Sequence, residues 1–284
     1  MPLDRRKLEE RFFKGLMIAS TIIIVGSLMS VLIVVLLRGV PALSISMLTQ
    51  TPKGGYYLGK EGGILNAIVG SVYLAGGATA VAFTISLPIA LYLNEYIGGS
   101  RLASLTRQSL DMLWSVPSII YGVFGFTIMA YLGMRASLLG GITALTLLEL
   151  PIMTRAMDEV MKLVPLELKE ASYAVGATKI ETTLNVTVKQ ASPGVVMAIL
   201  LAFGRAIGDA ASVLFTAGYT DYIPRSLSDP VASLPLAVFF QLGTPFPEVQ
   251  QRAYASGFIL LVVVLSLSVA SRILTKRSAK YVVK

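Results

Sequence analysis

The sequence contains no cysteine and no histidine among its 284 residues. Without cysteine the chain has no disulfides and no thiol nucleophile, and without histidine it has no imidazole base. It also lacks the usual ligands of zinc and haem. It also has no Gly-x-x-x-x-Gly-Lys-Ser/Thr segment, the motif that cradles nucleotide phosphates. These absences argue against an enzyme and predict that the chain itself binds no metal and no cofactor.

Charged residues are scarce as well, at 14% of the chain against 55% hydrophobic residues, with a mean hydropathy of +0.73. Soluble domains carry about 25% charged residues, so this profile predicts an all-α polytopic membrane protein surrounded by membrane lipid. The net charge of +8 does not indicate a nucleic-acid partner, because the lysines and arginines stand at the ends of apolar runs, where they determine topology.

Several apolar runs approach the length of about 20 residues that a helix needs to cross the hydrocarbon core. They predict six transmembrane helices at about residues 15–37, 65–93, 113–132, 138–152, 195–218 and 255–274, the fourth being the shortest. The first run is too long for the apolar region of a signal peptide, so we keep it as a membrane helix. We predict one transmembrane domain over residues 15–275, between tails at 1–14 and 276–284.

The basic residues predict the orientation of the chain. Of the 24 Lys and Arg residues, 17 fall in the N-terminal tail, in the connection between runs two and three, in that between runs four and five, and between Arg272 and the C-terminus. Because cytoplasmic segments are enriched in these residues, we expect both termini to be cytoplasmic and the protein to be a multi-pass component of the plasma (inner) membrane. An external loop then covers about residues 219–252.

That external loop contains a short apolar segment at residues 233–242. The segment is too short to cross a bilayer, so it is either a helix that lies at or dips into the interface or one that caps the bundle. The sequence leaves both possibilities open.

The connection at about residues 156–192 carries clear helix start and stop signals. Pro165 suits the first position of a short helix, and Gly176 suits the left-handed residue after its end. Leu168, Ala171, Ser172 and Val175 follow at helical spacing and predict a small apolar stripe. The stripe fits either a connector that rests on the membrane or a helix that binds a partner.

Further signals in this connection predict where the next helices begin. Thr178 and Glu181 form a capping-box pattern that predicts the start of a second helix. Ser192 and Pro193 predict the start of the fifth span.

The stretch Glu170-Ala171-Ser-Tyr-Ala-Val-Gly176 resembles the EAA motif of ABC importer permeases, with serine in place of the second alanine. The resemblance implies that this loop forms a coupling helix that docks in a groove of a cytoplasmic ATPase. Pro165, Glu170, Ala171 and Gly176 are the residues that it assigns to ATPase coupling.

Other stretches from about residue 60 onward resemble the phosphate permeases of the PstA type: 62–70, 91–96, 115–122, 150–165, 204–211 and 214–217. The resemblance implies a type I ABC importer permease fold with its core at 60–275, and import of inorganic phosphate. It also implies four partner subunits: a second homologous permease (PstC type), two ATP-binding subunits (PstB type) that hold ATP and magnesium, and an external phosphate-binding protein (PstS type).

Arg205 and Asp209 are the charged residues within the fifth run. Four residues apart, they would share one helical face and pair, and such intramembrane charges usually face protein or a water-filled path. Gly204 and Gly208 offer a small-residue surface to another helix. A guanidinium binds oxyanions well, and the family resemblance implies a role for the pair in phosphate passage, so we place both charges on the substrate path. A structural ion pair is the alternative.

Two further residues lie inside or near the predicted spans. Pro117 in the third run predicts a kinked membrane helix. Glu149 lies near the predicted cytoplasmic end of the fourth run, where a solvated carboxylate whose chain extends to the interface is the simpler interpretation.

Three other functions are compatible with parts of the sequence. An importer permease for sulfate, molybdate or tungstate would use the same Arg and carboxylate chemistry as one for phosphate. A secondary transporter would work without an ATPase. A membrane-embedded enzyme is disfavoured because the sequence lacks the clustered catalytic groups that intramembrane chemistry needs.

Overall fold

The structure is a computed structural model that describes residues 3–53 and 62–278. Those ranges are helical almost throughout. The α-helices are α1 (Leu3–Ala42), α2 (Ile45–Thr49), α3 (Leu65–Leu91), α4 (Arg101–Trp114), α5 (Ser118–Tyr131), α6 (Leu138–Lys162), α7 (Leu166–Ala174), α8 (Lys179–Thr182), α9 (Val188–Gly208), α10 (Leu234–Leu242) and α11 (Pro247–Ser278). Two π-helical segments, Tyr92–Tyr96 after α3 and Thr183–Thr187 before α9, extend the neighbouring helices.

Five helical stretches within the described residues are long and apolar enough to cross a membrane: Lys7–Ala42, Leu65–Tyr96, Leu138–Lys162, Lys179–Gly208 and Pro247–Leu274. The pair α4 and α5 makes a sixth if it is counted as one bent span. The prediction of an all-helical polytopic membrane protein is therefore confirmed. The fourth span was predicted too short, since α6 continues ten residues past residue 152.

The third predicted span is broken rather than kinked. Helix α4 ends at Trp114 and α5 begins at Ser118, and the two axes meet at 95°. Pro117 is the N-cap of α5, with φ −57° and ψ 136°, because proline starts a helix readily and biases the residue before it away from helical geometry. The 14 residues of α5 rise only about 21 Å, less than the bilayer core of about 30 Å.

The fifth span also differs from its prediction at both ends. Helix α9 begins at Val188, directly after the second π segment, so Pro193 lies inside the helix and does not start it. The Ser192 hydroxyl donates to the Lys189 carbonyl at 2.8 Å, which provides that carbonyl with a donor that the imino nitrogen of Pro193 lacks. The helix ends at Gly208, ten residues before the end of the predicted run.

Helices α3 and α6 form the centre of the bundle. Helix α3 presents fully buried small residues, Ala75, Ala78 and Ala82, at spacings that place them on one face. Such a face lets two helices approach closely in a membrane, where close packing and not the hydrophobic effect drives association. Met153 and Met157 of α6 fill the space beside α9.

Glycines of α5 and α6 allow the irregular chain that follows α9 to approach these helices closely. A Cβ on Gly122 of α5 would lie 2.7 Å from the Ser212 carbonyl oxygen, and one on Gly140 of α6 would lie 2.9 Å from that of Thr216. The Ser137 amide also donates to the Thr216 carbonyl at 2.9 Å. This segment therefore passes tightly between α5 and α6.

Helix α10 settles the position of the apolar segment 233–242. Ser233 caps the helix by accepting from the Leu236 amide, and the Leu234 amide donates to the Ser71 hydroxyl of α3 at 2.8 Å. Leu236 and Ala237 are fully buried against α3 and α11. The segment is thus packed into one end of the bundle, as expected of a capping helix and unlike one that lies free at an interface.

Near its C-terminal end, helix α1 packs against α11. The Arg38 guanidinium lies 5.3 Å from the Tyr254 ring centroid and donates to the Tyr254 hydroxyl at 3.2 Å. Gly39 lies directly against Phe258. The most apolar window of α1 has no buried residue, so that surface faces lipid or another subunit.

Candidate functional site

A cavity of about 840 Å³ lies along α9, between α6 and α11. Most of its lining is apolar or small, including Met197, Leu201 and Val264. The charged residues in the lining are Arg205 and Asp209 of the α9 end and Arg272 of α11. Both residues that were predicted to lie on a substrate path therefore line the same cavity.

Arg205 lies in the last turn of α9 with an exposed side chain. Among the residues that the structure describes, nothing pairs with it through a hydrogen bond or an ion pair. A guanidinium carries five N–H donors in a planar fork. Arg205 thus presents to the cavity a guanidinium whose N–H donors are not used by any described residue.

Asp209 does not pair with Arg205, and this part of the prediction is wrong. An i, i+4 pair needs a helix that continues through both residues, but Asp209 is the C-cap of α9, with φ −84° and ψ 124°. Its Oδ1 instead accepts from the backbone N–H and the hydroxyl of Ser212, both at 2.8 Å. Asp209 therefore caps the turn after α9, as aspartate often does.

Gly204 and Gly208 have no heavy atom within 4 Å of the Cβ positions that a larger residue would occupy. The predicted small-residue surface therefore packs against no other helix in the described part of this chain. Both glycines line the cavity. Their packing against a helix from outside the described part of the chain remains a prediction.

Glu149 occupies a different environment from the one predicted. It lies near the middle of α6, and its side chain is fully buried. The Thr79 hydroxyl of α3 donates to Oε2 at 2.9 Å, whereas Oε1 has no partner among the described residues. The prediction of a solvated carboxylate at a helix end was wrong because the helix continues well beyond the apolar run that was taken as its length.

The short helix predicted in the connection at about residues 156–192 is present as α7. Pro165 is its N-cap, one position before the predicted one, and Gly176 has φ +89°, the left-handed conformation that was predicted. The capping box between Thr178 and Glu181 is also confirmed.

The apolar stripe of α7 is only partly as predicted. Leu168 and Ser172 are half-buried, whereas Ala171 is exposed, as is Glu170 beside it. Val175 is 85% exposed. With Leu166 and Tyr173 also exposed, the helix presents an apolar outer surface that no part of the described chain covers.

A buried charge cluster near the α7 end of the bundle was not predicted. The fully buried carboxylate of Asp158 accepts from Arg107 Nε at 3.0 Å and Arg155 Nη1 at 2.7 Å, and it lies 3.0 Å from Lys162 Nζ. The spacing of Arg155 and Lys162 around Asp158 is a helical pairing pattern that indicates part of the cluster. Arg107 comes from α4, and no local pattern connects it to Asp158.

Two aspartates in the segment between α9 and α10 have shifted pKa values. Burial raises the pKa of Asp221, and the nearby positive charge of Arg252 opposes that change. Hydrogen bonds from the backbone N–H groups of Arg225 and Ser226 lower the pKa of Asp229. Asp229 therefore stays ionised and holds its turn at neutral pH.

The family described as the binding-protein-dependent transport system inner membrane component matches residues 86–280. The chain belongs to that family. Its fold is shared with a permease of the inward-facing MetNI methionine ABC transporter (TM-score 0.60, 20% identity, 76% of this chain and 95% of that one). A bacterial alginate ABC transporter gives a TM-score of 0.58 at 14% identity over 97% of each chain. The type I importer permease fold is confirmed.

Curated relatives narrow the family further. The phosphate transport system permease protein PstA of Haemophilus influenzae is 33% identical over 269 residues, which is 94% of each chain. PstA of Yersinia pestis is 35% identical over 84% of this chain and 80% of its own. PstA 1 of Mycobacterium tuberculosis is 37% identical over 74% of this chain and 69% of its own. Within its family, the chain is a PstA-type permease and a multi-pass inner-membrane protein.

Proposed function

We propose that this chain is the permease subunit through which an ABC importer moves inorganic phosphate across the inner membrane. The observation that carries the proposal is the similarity to permeases named for phosphate transport, which extends over 94% of the chain at 33% identity. The cavity along α9 supports it, because an unpaired guanidinium in its lining suits an oxyanion.

In this proposal Arg205 is the residue on the substrate path that binds phosphate directly. Its positive charge offsets part of the hydration free energy that the anion gives up when it leaves water. Asp209 lines the same cavity but is held by Ser212, so its negative charge weakens anion binding without occupying the Arg205 donors. The phosphate then meets a site of moderate affinity, from which it can leave.

The partner subunits complete the transporter. A second permease, of the PstC type, would cover the open side of the cavity, where Gly204 and Gly208 leave room for its approach. An external binding protein of the PstS type would deliver phosphate. Two ATPases of the PstB type would bind ATP and magnesium, so this chain hydrolyses nothing itself.

Helix α7 is the proposed contact with the ATPase. Pro165 and Gly176 fix its two ends, and Glu170 and Ala171 lie on its exposed surface. Apolar side chains exposed beside them provide the surface that a partner groove would bury. We place this helix, with both chain termini, on the cytoplasmic side.

The test is ATP-dependent phosphate uptake into vesicles that contain the co-expressed complex. Hydrogen bonds to a charged group contribute about 1.5–3 kcal/mol, so Arg205→Gln should slow uptake about ten- to hundredfold. Arg101→Gln is the matched control, because Arg101 is an exposed arginine at the start of α4, outside the cavity.

Co-purification of the ATPase confirms that each variant assembles. Loss of uptake in Arg205→Gln with an intact complex supports the proposal. Uptake at the wild-type rate removes Arg205 from the path, and ATP-driven uptake of sulfate or molybdate in preference to phosphate identifies the alternative oxyanion importer.

A further inference from the structure

Glu95 connects three elements at the α7 end of the bundle. It lies in the first π segment, and its side chain is only 4% exposed. Its Oε1 accepts from Lys169 Nζ of α7 at 2.6 Å and from Thr187 Oγ1 of the second π segment at 2.9 Å. One carboxylate oxygen therefore joins α7, the end of α3 and the base of α9.

Helix α7 has few other attachments to the bundle. None of its residues is buried. Its other side-chain hydrogen bond in the described structure joins Ser172 to Thr182 at 2.9 Å, within the same connection between α6 and α9. The Lys169–Glu95 pair is thus an ion pair that ties α7 to the end of α3.

The burial of Glu95 makes this connection difficult to open. A carboxylate that is almost fully covered loses its hydration, and separating it from its cation leaves an uncompensated charge. Keeping the pair together is therefore favoured whenever α7 moves. A displacement of α7 pulls on Glu95, and Glu95 holds Thr187 through the same oxygen.

The π-helical geometry of the two segments that Glu95 connects suits a hinge. Such turns are rare, and they occur frequently at functional sites, since their wider hydrogen-bond pattern interrupts the regular helix. The first π segment is also bonded to α4, because Arg107 Nη2 donates to the Leu93 carbonyl at 3.2 Å. A displacement of Glu95 therefore acts on the two π segments, where the spans of α3 and α9 already depart from regular α-helical geometry.

We propose that Glu95 is a positioning residue that transmits displacement of α7 to α3 and α9 through Lys169 and Thr187. The inference rests on the proposed contact between α7 and the ATPase. Helix α9 lines the cavity and carries Arg205, so movement at its base changes the shape of the cavity. Glu95 is outside the cavity lining and acts only through its two partners.

The test measures ATP hydrolysis and phosphate uptake together in vesicles that contain the complete complex. Glu95→Gln and Lys169→Met should retain ATP hydrolysis while phosphate moved per ATP falls about tenfold, a typical size for coupling between sites. The exchange Glu95→Lys with Lys169→Glu restores the ion pair and should recover the ratio. Lys189→Met is the matched control, because Lys189 is an exposed lysine at the base of α9 with no ion pair in the described structure.

Two results overturn the inference. One is a wild-type ratio of uptake to hydrolysis in both single variants. The other is loss of ATPase co-purification in them, which would make the pair a structural support for docking. The proposed contact of α7 is checked separately by Ala171→Cys, because a chain without other cysteines gives an unambiguous cross-link to the ATPase.

Discussion

At the residue scale, Glu149 and Arg205 show two opposite ways in which a membrane protein holds a charged side chain. Arg205 faces a cavity without a partner in the described structure, whereas Glu149 is fully buried beside the Thr79 hydroxyl. Intramembrane charges are costly unless they face protein or water. Arg205 satisfies that rule through access to the cavity, and Glu149 by facing the protein interior, where the Thr79 hydroxyl donates to it.

For Glu149, we predict that Glu149→Gln is tolerated and that Glu149→Lys is not. The amide keeps an oxygen acceptor for Thr79 and carries no charge, so the free energy of unfolding should change by no more than about 1 kcal/mol. A lysine at the same buried position should cost about 2.5–3.5 kcal/mol. Thermal unfolding of the purified protein in detergent compares the two variants, and a glutamine variant as unstable as the lysine variant would contradict this account.

The individual site residues were only partly predictable from the sequence. Their types and positions identified Arg205 and Asp209 as candidates, but the pairing depended on whether α9 continued past Gly208. The helix end is fixed by the tertiary contacts of the following segment with α5 and α6. Local helical spacing contains no information about those contacts.

At the element scale, the break between α4 and α5 determines how α5 packs. The sequence predicted a single span because the apolar run continues across Pro117, and apolar length does not distinguish one crossing from two helices at an angle. The break allows Gly122 of α5 to lie directly against the chain after α9. The existence of the five other spans was predictable because each contains a long apolar helix, although the bounds of the fourth and fifth differ from their predictions.

For this packing, we predict that Gly122→Ala destabilises the protein and that Gly76→Ala does not. The added methyl at Gly122 would meet two backbone oxygens at 2.7 and 2.8 Å, and forced overpacking costs about 1–3 kcal/mol. At Gly76 no atom lies within 4 Å, and alanine is the better helix former by about 1 kcal/mol. Unfolding midpoints in detergent should move in opposite directions, and equal midpoints for the two variants would show that α5 yields at this contact.

At the scale of the whole molecule, two surfaces of the permease have no covering element among the described residues. Its cavity is lined by one side of α9 together with α6 and α11, and α7 exposes an apolar surface. In the proposed transporter, partner subunits cover both surfaces. The family resemblance predicted such partners, whereas residue patterns alone favoured a connector that rests on the membrane.

For the open side of the cavity, we predict that Gly204→Leu prevents association with the second permease but leaves this subunit folded. The leucine side chain would enter open space, since no atom lies within 4 Å of its Cβ position. Gly26→Leu in α1 is the control, because that position is equally open. Co-purification of the two permeases should be lost only for Gly204→Leu, and its retention would place the interface elsewhere.

The most direct test of phosphate import is uptake of phosphate by vesicles that contain the wild-type complex. ATP is enclosed in the vesicles, and the binding protein and competing sulfate or molybdate are added outside. Phosphate import by an ABC importer predicts uptake that requires ATP and that neither competitor reduces at equal concentration. Uptake that proceeds without ATP would contradict the ABC mechanism. Uptake that sulfate or molybdate abolishes would contradict the assignment of phosphate as the substrate.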